Sequence, residues 1–212
     1  MKRILFAILA FSAIVFAEPY VHDGFYMNFK TGLGYMDLQS DKTDYSYVDL
    51  KSPLSQSLAF KLGGAVNPHL AIVGTMSLSV ATGEVKTRNV YYSDKSDAML
   101  LSLILGPGIV FYPVQGGVMD NFFIGATFGL GICGIDLDGA YLSWDGEDGR
   151  TSSNTATGFG VSLEIGKEWW VGNNWSLGVD LVYTYVSGDD VDYDGLEWKS
   201  NAIQLRFTIT RS

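Results

Sequence analysis

Five charged residues, Lys30, Lys61, Glu164, Asp180 and Arg206, each stand near the middle of a stretch where apolar residues alternate with Gly, Ser, Thr or Ala. All five fall on the small-residue phase of that alternation. Three cations and two carboxylates brought into one confined space can neutralise each other as a buried ion-pair network, because an isolated buried charge is costly. Alternatively, an exchange of partners among them can gate the passage of ions or small solutes. The expected pairing sets Glu164 and Asp180 against Arg206, Lys30 and Lys61, with Gln204, Asn28 and Ser162 beside them.

A second chemistry is spelled by Asp190-Val191-Asp192-Tyr193-Asp194-Gly195. Alternate carboxylates followed by a sharp Gly turn can wrap oxygens around one hard ion, as at the start of a calcium loop. The bidentate acid that should close such a loop is missing, since Asn201 stands at the twelfth position. Asp190, Asp192 and Asp194 therefore form a candidate cation loop that departs from the EF-hand, and no other cofactor is expected. Asp145-Gly146-Glu147-Asp148-Gly149 is a shorter acidic run of the same kind. The remaining chemistry is sparse. Cys133 is the one cysteine and cannot form an internal disulfide, and the two histidines, His22 and His69, are expected at solvated turns. Neither has the Ser or acid partner that nucleophilic catalysis requires. Gly125-Ala126-Thr127-Phe128-Gly129-Leu130-Gly131 superficially resembles a phosphate loop, but its glycines share one strand face, where they give curvature and interior space. The chain is read as non-enzymatic.

The elements that must position these residues are strands. Neighbouring side chains on a strand point to opposite faces, and from Gly24 to Thr210 the alternation recurs eight times. Phe25, Met27, Phe29, Leu33 and Tyr35 share one face of the first segment while Asn28, Lys30, Gly32 and Gly34 share the other. Later segments repeat it, as with Leu58, Phe60 and Leu62, or Ile203, Leu205, Phe207 and Ile209. A soluble eight-stranded barrel would cover its outer face with Lys, Glu and Asp. Here the second face is too bare of charge to meet water, so the apolar face meets hydrocarbon and the small residues fill a narrow interior. The fold class is all-β, an eight-stranded antiparallel up-and-down transmembrane β-barrel.

Met1-Lys2-Arg3, the apolar run Ile4 to Phe16 and Ala17 make an export signal over residues 1–17, cleaved near Ala17. The run is too short to span a bilayer as a helix. Residues 18–212 then divide into eight units of strand plus connection, and the breaks alternate short and long. Asn67-Pro68, Pro113 to Asn121 and Gly172-Asn173-Asn174 are the shorter breaks; residues 37–54, 82–97, 136–153 and 187–199 are four long extracellular loops. Aromatics gather at strand ends: Phe25, Phe111, Tyr112, Phe122, Trp169, Trp170, Trp175 and Phe207 on the periplasmic side, Tyr35, Tyr183 and Tyr185 on the outer side. Such sorting makes interfacial girdles.

The net charge of −9 has a location, because the long loops carry about −2, 0, −4 and −4. The barrel is nearly neutral and the loops are anionic, which excludes nucleic acid as a partner. Tyr45, Tyr47, Tyr91, Tyr92, Tyr141, Trp144, Tyr193 and Trp198 interleave with the loop acids, a composition suited to an extracellular protein or glycan partner.

Taken together, the chain resembles the small eight-stranded outer-membrane proteins of the OmpA and OmpX type over residues 18–212, with Gly106-Pro107-Gly108-Ile109-Val110-Phe111-Tyr112 typical of their descending strands. The resemblance implies a monomer in the outer membrane of a Gram-negative cell, in contact with lipid and lipopolysaccharide and placed there by the barrel-insertion machinery. It implies a role in envelope integrity or adhesion, or slight channel activity; with no peptidoglycan-binding domain after the barrel, a cell-wall tether is not expected. One departure is the end of the chain, where these barrels usually carry an aromatic and this one has Phe207-Thr208-Ile209-Thr210-Arg211-Ser212. The expected function is structural and surface-interacting, with a plugged lumen. A narrow pore is the first alternative. A lipid-modifying outer-membrane enzyme is the second, and it would need a histidine at the outer rim.

Overall fold

The computed structural model describes residue 22 and residues 24–41, 48–88, 93–114, 117–137, 142–143, 150–151 and 153–212. The export signal and Ala17 lie outside the described residues, as do Tyr45, Tyr47, Tyr91, Tyr92, Tyr141, Trp144 and the run from Asp145 to Gly149. The strands are β1 (Gly24–Ser40), β2 (Val48–Asn67), β3 (Leu70–Arg88), β4 (Ser93–Phe111), β5 (Phe122–Leu137), β6 (Leu142–Ser143), β7 (Arg150–Thr151), β8 (Ser153–Gly172), β9 (Trp175–Asp190) and β10 (Glu197–Arg211). All but β6 and β7 join one closed antiparallel barrel, in which successive strands pair and β10 closes on β1. The closing register sets Gly32 opposite Arg206 and Lys30 opposite Thr208. β6 and β7 pair with each other in a small separate sheet, an element absent from the eight-strand expectation.

The alternation sorts as hydrocarbon demands. Leu33 and Leu205 on the outer face are 55% and 63% exposed, whereas Asn28 and Thr208 on the inner face are fully buried. Outside water, apolar surface turned outward costs nothing, and every strand hydrogen bond is satisfied by closure. The order then inverts toward the long connections. Met36, Leu38, Val48, Leu50, Leu100, Ile135, Leu137 and Val186 are buried inside, while Asp49, Lys51, Asp136 and Asp189 face out. Past the lipid the outer face meets water, so the apolar side chains gain by turning inward, as in a soluble barrel.

Because of this inversion the strands run on beyond the membrane. Much of what was expected as loop at 37–54, 82–97, 136–153 and 187–199 is strand, and the connections shrink to the stretches between Ser40 and Val48, Arg88 and Ser93, Leu137 and Ser153, and Asp190 and Glu197. The periplasmic girdle is also smaller than expected. Phe25, Phe111, Trp175 and Phe207 do face outward, and Arg211 lies over the Phe25 ring and Lys167 over Trp169. Tyr112 and Trp170, however, are buried in the lumen.

Candidate functional site: the filled lumen

At mid-height the five charged residues meet. Lys30 lies on β1, Lys61 on β2, Glu164 on β8, Asp180 on β9 and Arg206 on β10, and none is more than 3% exposed. The Arg206 guanidinium donates from Nε to Asp180 Oδ1 at 2.7 Å and from Nη2 to Glu164 Oε2 at 2.6 Å. Lys30 Nζ donates to Asp180 Oδ2 at 2.6 Å and lies 3.2 Å from Glu164 Oε2, while Lys61 Nζ donates to Glu164 Oε1. Lys30 also stands over the Phe123 ring, 4.6 Å from its centroid. The network needs room beside it, and two glycines provide it. A Cβ on Gly125 would come within 2.7 Å of Glu164 Cγ, and one on Gly32 would come equally close to Arg206 Cγ.

Gln204 and Asn28 do not join the charges. Gln204 is held by Ser55 and Ser79, and Asn28 donates to Thr208 and Thr210. Ser162 is buried on the inner face of β8, next to Glu164 in phase.

Toward the periplasm lies a tier the sequence reading did not foresee. Glu168, 1% exposed, accepts from Ser176 at 2.5 Å and from Thr210 at 2.6 Å. With it the lower lumen holds three cations and three carboxylates. The phase that carries Glu164 and Gly166 continues through Glu168 and Trp170, so extending the sixth repeat past Ile165 is the signal that finds both. Below them His22 is buried, correcting its expected place at a solvated turn. Its ring stacks on Tyr112 with centroids 3.9 Å apart, neighbours Trp170 at 4.9 Å, and holds Ser212 Oγ through Nδ1 at 2.6 Å. Tyr26 and Tyr112 join hydroxyl to hydroxyl beside it. His69 does lie at the exposed periplasmic turn, with its Nδ1 on the Tyr112 carbonyl.

Burial pushes the His22 imidazole down from 6.5 to about 4, so the ring is neutral at physiological pH. A base with a lowered pKa contributes stability that is complete above its unfolded value of 6.5 and is lost as pH falls toward about 4. Acid titration of tryptophan emission should therefore show the Trp170 environment opening with a midpoint near 4. The His22→Phe variant should lose that transition, and an unchanged titration would remove His22 as its cause.

Toward the cell exterior the filling is apolar. Met36, Leu38, Leu50, Leu100, Ile104, Ile135, Val186 and Trp198 pack with Cys133 and Ala156 into one cluster. Cys133 thus sits inside the barrel, against the Ala156 strand position. Trp198, expected in an extracellular loop, is one of the largest fully buried side chains. Its indole Nε1 donates to Asp190 Oδ2 at 2.8 Å, and Asn154 Nδ2 donates to the same oxygen at 2.9 Å. Asp190 Oδ1 accepts the backbone amides of Asp192 and Tyr193.

This geometry corrects the cation loop. Asp190 turns into the lumen and both its oxygens are taken, whereas Asp192 and Asp194 stay at the surface. Asn201, where the closing acid should be, is tied to Asp37 and Tyr183. Among the described residues no three His, Cys, Asp or Glu side chains are placed to share a metal ion.

Residues 4–208 match the family described as outer membrane protein beta-barrel domain. The chain belongs to that family. Its place is accordingly the outer membrane, and its eight-stranded barrel is the family's architecture. No curated protein matches it in sequence. Among solved structures it is similar to the attachment invasion locus protein Ail of Yersinia pestis, at 13% identity and TM-score 0.45, covering 87% of this chain and 99% of that one. It is similar to OprG of Pseudomonas aeruginosa at 14% identity and TM-score 0.48, covering 90% and 97%. The outer membrane protease OmpT of Escherichia coli is matched at 7% identity and TM-score 0.49, covering 88% and 96%.

Proposed function

We propose that this outer-membrane barrel is non-enzymatic, closed to solutes, and works through its extracellular end as a surface-interaction protein. The observation that carries the reading is the continuous filling of the lumen: an aromatic and carboxylate tier, an ion-pair tier and an apolar tier, all buried. A closed interior leaves the strand extensions and the acidic connections as the surface that can engage a protein or glycan. The enzyme alternative has little to work with. The whole chain has two histidines and one cysteine, and His22, His69 and Cys133 lie respectively in an aromatic stack, at a periplasmic turn and in an apolar cluster.

Planar-bilayer recording tests the closed lumen. The wild-type barrel should show no steady openings, and regular single-channel steps that disappear in Arg206→Ala would establish the pore reading instead. On intact cells, replacing residues 138–149 by a short Gly-Ser turn should leave the barrel folded and abolish surface binding. Unchanged binding to every cell or matrix surface tried would count against recognition at this end.

A further inference from the structure

Among the described outward positions of the barrel, polar side chains interrupt the lipid-facing surface beside each other at Gln56 on β2 and Thr31 on β1. Between the two aromatic girdles the described outward positions are overwhelmingly apolar, yet Gln56 points outward from β2 with its side chain exposed. It pairs with Leu33 on one side and Val80 on the other, one outward position inside the level of Tyr35. That level is about 5 Å below the outer girdle, from two residues of a strand tilted as barrels require. The Gln56 amide has no hydrogen-bond partner among the described residues, and the cost of an unsatisfied amide in an apolar medium is several kcal/mol.

Gln56 is also part of a shape. A groove of about 350 Å³ opens on this face, lined by Thr31, Leu33, Gln56, Leu58, Leu78 and Val80. Its one amide stands at the outer end, and Leu58 and Thr31, a step deeper along the strands, are paired with each other. The groove is therefore amphipathic along the membrane normal: an amide donor and acceptor near the level of the lipid linkages, and beneath it a channel walled by Leu58 and Leu78, with Thr31 as its one polar side chain.

We propose that this groove is a fixed site for one acyl chain of an outer-leaflet lipid, whose ester or amide linkage hydrogen-bonds the Gln56 side chain. Depth selects this occupant. An acyl linkage lies where the amide is, and the hydrocarbon that follows it enters the channel formed by Leu58 and Leu78. A hydrocarbon chain alone satisfies the channel and leaves the amide unpaired.

Native mass spectrometry of the full-length barrel, folded in detergent with added phosphatidylethanolamine or with added lipid A, tests the site. The expected result is one lipid A retained per wild-type barrel, and retention of phosphatidylethanolamine but not lipid A would overturn the outer-leaflet assignment. Gln56→Leu should weaken retention about tenfold, the usual scale of one hydrogen bond in an apolar medium. Leu78→Trp, which fills the channel, should abolish it, and Leu163→Trp on the opposite strand β8 should leave it intact. Equal retention in wild type, Gln56→Leu and Leu163→Trp would overturn the proposal, because the amide would then contribute nothing. A dimeric species without lipid, lost in Gln56→Leu, would overturn it in favour of a second copy covering the groove. Since Gln56→Leu only makes the outer face more apolar, it tests the site even if Leu78→Trp does not fold.

Discussion

Glu164→Gln should destabilise the barrel by about 3–5 kcal/mol, the cost of breaking a buried ion pair on one side only. Glu164 is the hub of the mid-lumen network: it is the carboxylate that Lys61 holds, and it also receives Arg206 and Lys30. Its neutral replacement leaves Asp180 as the one carboxylate in direct contact with any of the three cations among the described residues. Lys61 is left with no opposite charge in contact, in a position that is 2% exposed. Urea unfolding of the barrel in lipid vesicles, followed by the electrophoretic shift between folded and unfolded forms, reads the change directly. Asp180→Asn should cost less, because Lys30 and Arg206 both keep Glu164. A loss under about 1 kcal/mol for Glu164→Gln would place the pairs in the range of solvated surface ion pairs. The lumen would then be wet, and the closed reading would fall with it.

Trp198→Ala should cost a similar amount, about 3–5 kcal/mol, for a different reason. It removes the largest side chain of the apolar tier and leaves a cavity between Val186, Ala202 and their neighbours. It also takes a donor from Asp190, whose carboxylate stays buried with Asn154 and two backbone amides. Trp198→Phe separates the two effects, since the ring remains and only the indole donor is lost; about 1–3 kcal/mol is expected there. Trp198 and Arg206 are eight residues apart on β10, about 26 Å along a strand. The double variant with Glu164→Gln should therefore be additive to within about 0.5 kcal/mol. Strong coupling would mean that the tiers are mechanically one unit.

The eight strands were legible because a membrane barrel writes its two solvents into one alternation, and Leu33 and Lys30 declare their sides unaided. The charged tier was legible for the same reason, since phase alone puts Lys30, Lys61, Glu164, Asp180 and Arg206 inside. The ends were harder. Where the strand leaves the lipid the outer face changes partner from hydrocarbon to water, and Met36 inside with Asp37 outside reads as a break in the pattern when it is a continuation with the signs exchanged. Trp198 and Asp190 were assigned to a loop on that account, and the D-x-D-x-D-G spacing looked like a cation loop because nothing in it reveals that its first aspartate faces inward. Tyr112 and Trp170 were misplaced by a related ambiguity, since an aromatic at a strand end serves a girdle or a plug according to phase. His22 precedes the first strand, where no phase exists to be read, and only tertiary packing onto Tyr112 shows where it lies.

The ion-pair tier draws its members from the two ends of the chain. Lys30 meets Asp180 across 150 residues of sequence and Lys61 meets Glu164 across 103, whereas Arg206 and Asp180 already pair inside the β9–β10 hairpin. A sheet that has formed every hairpin but not joined β10 to β1 still carries Lys30 and Lys61 without their counterparts, which lie on β8 and β9. The attraction of these two lysines to the carboxylates of β8 and β9 appears only when the ring shuts. Assembly of this barrel should consequently be all-or-none at its last step, slow in the manner of long-range pairing, with the closed ring latched by the same side chains that made the open one unfavourable.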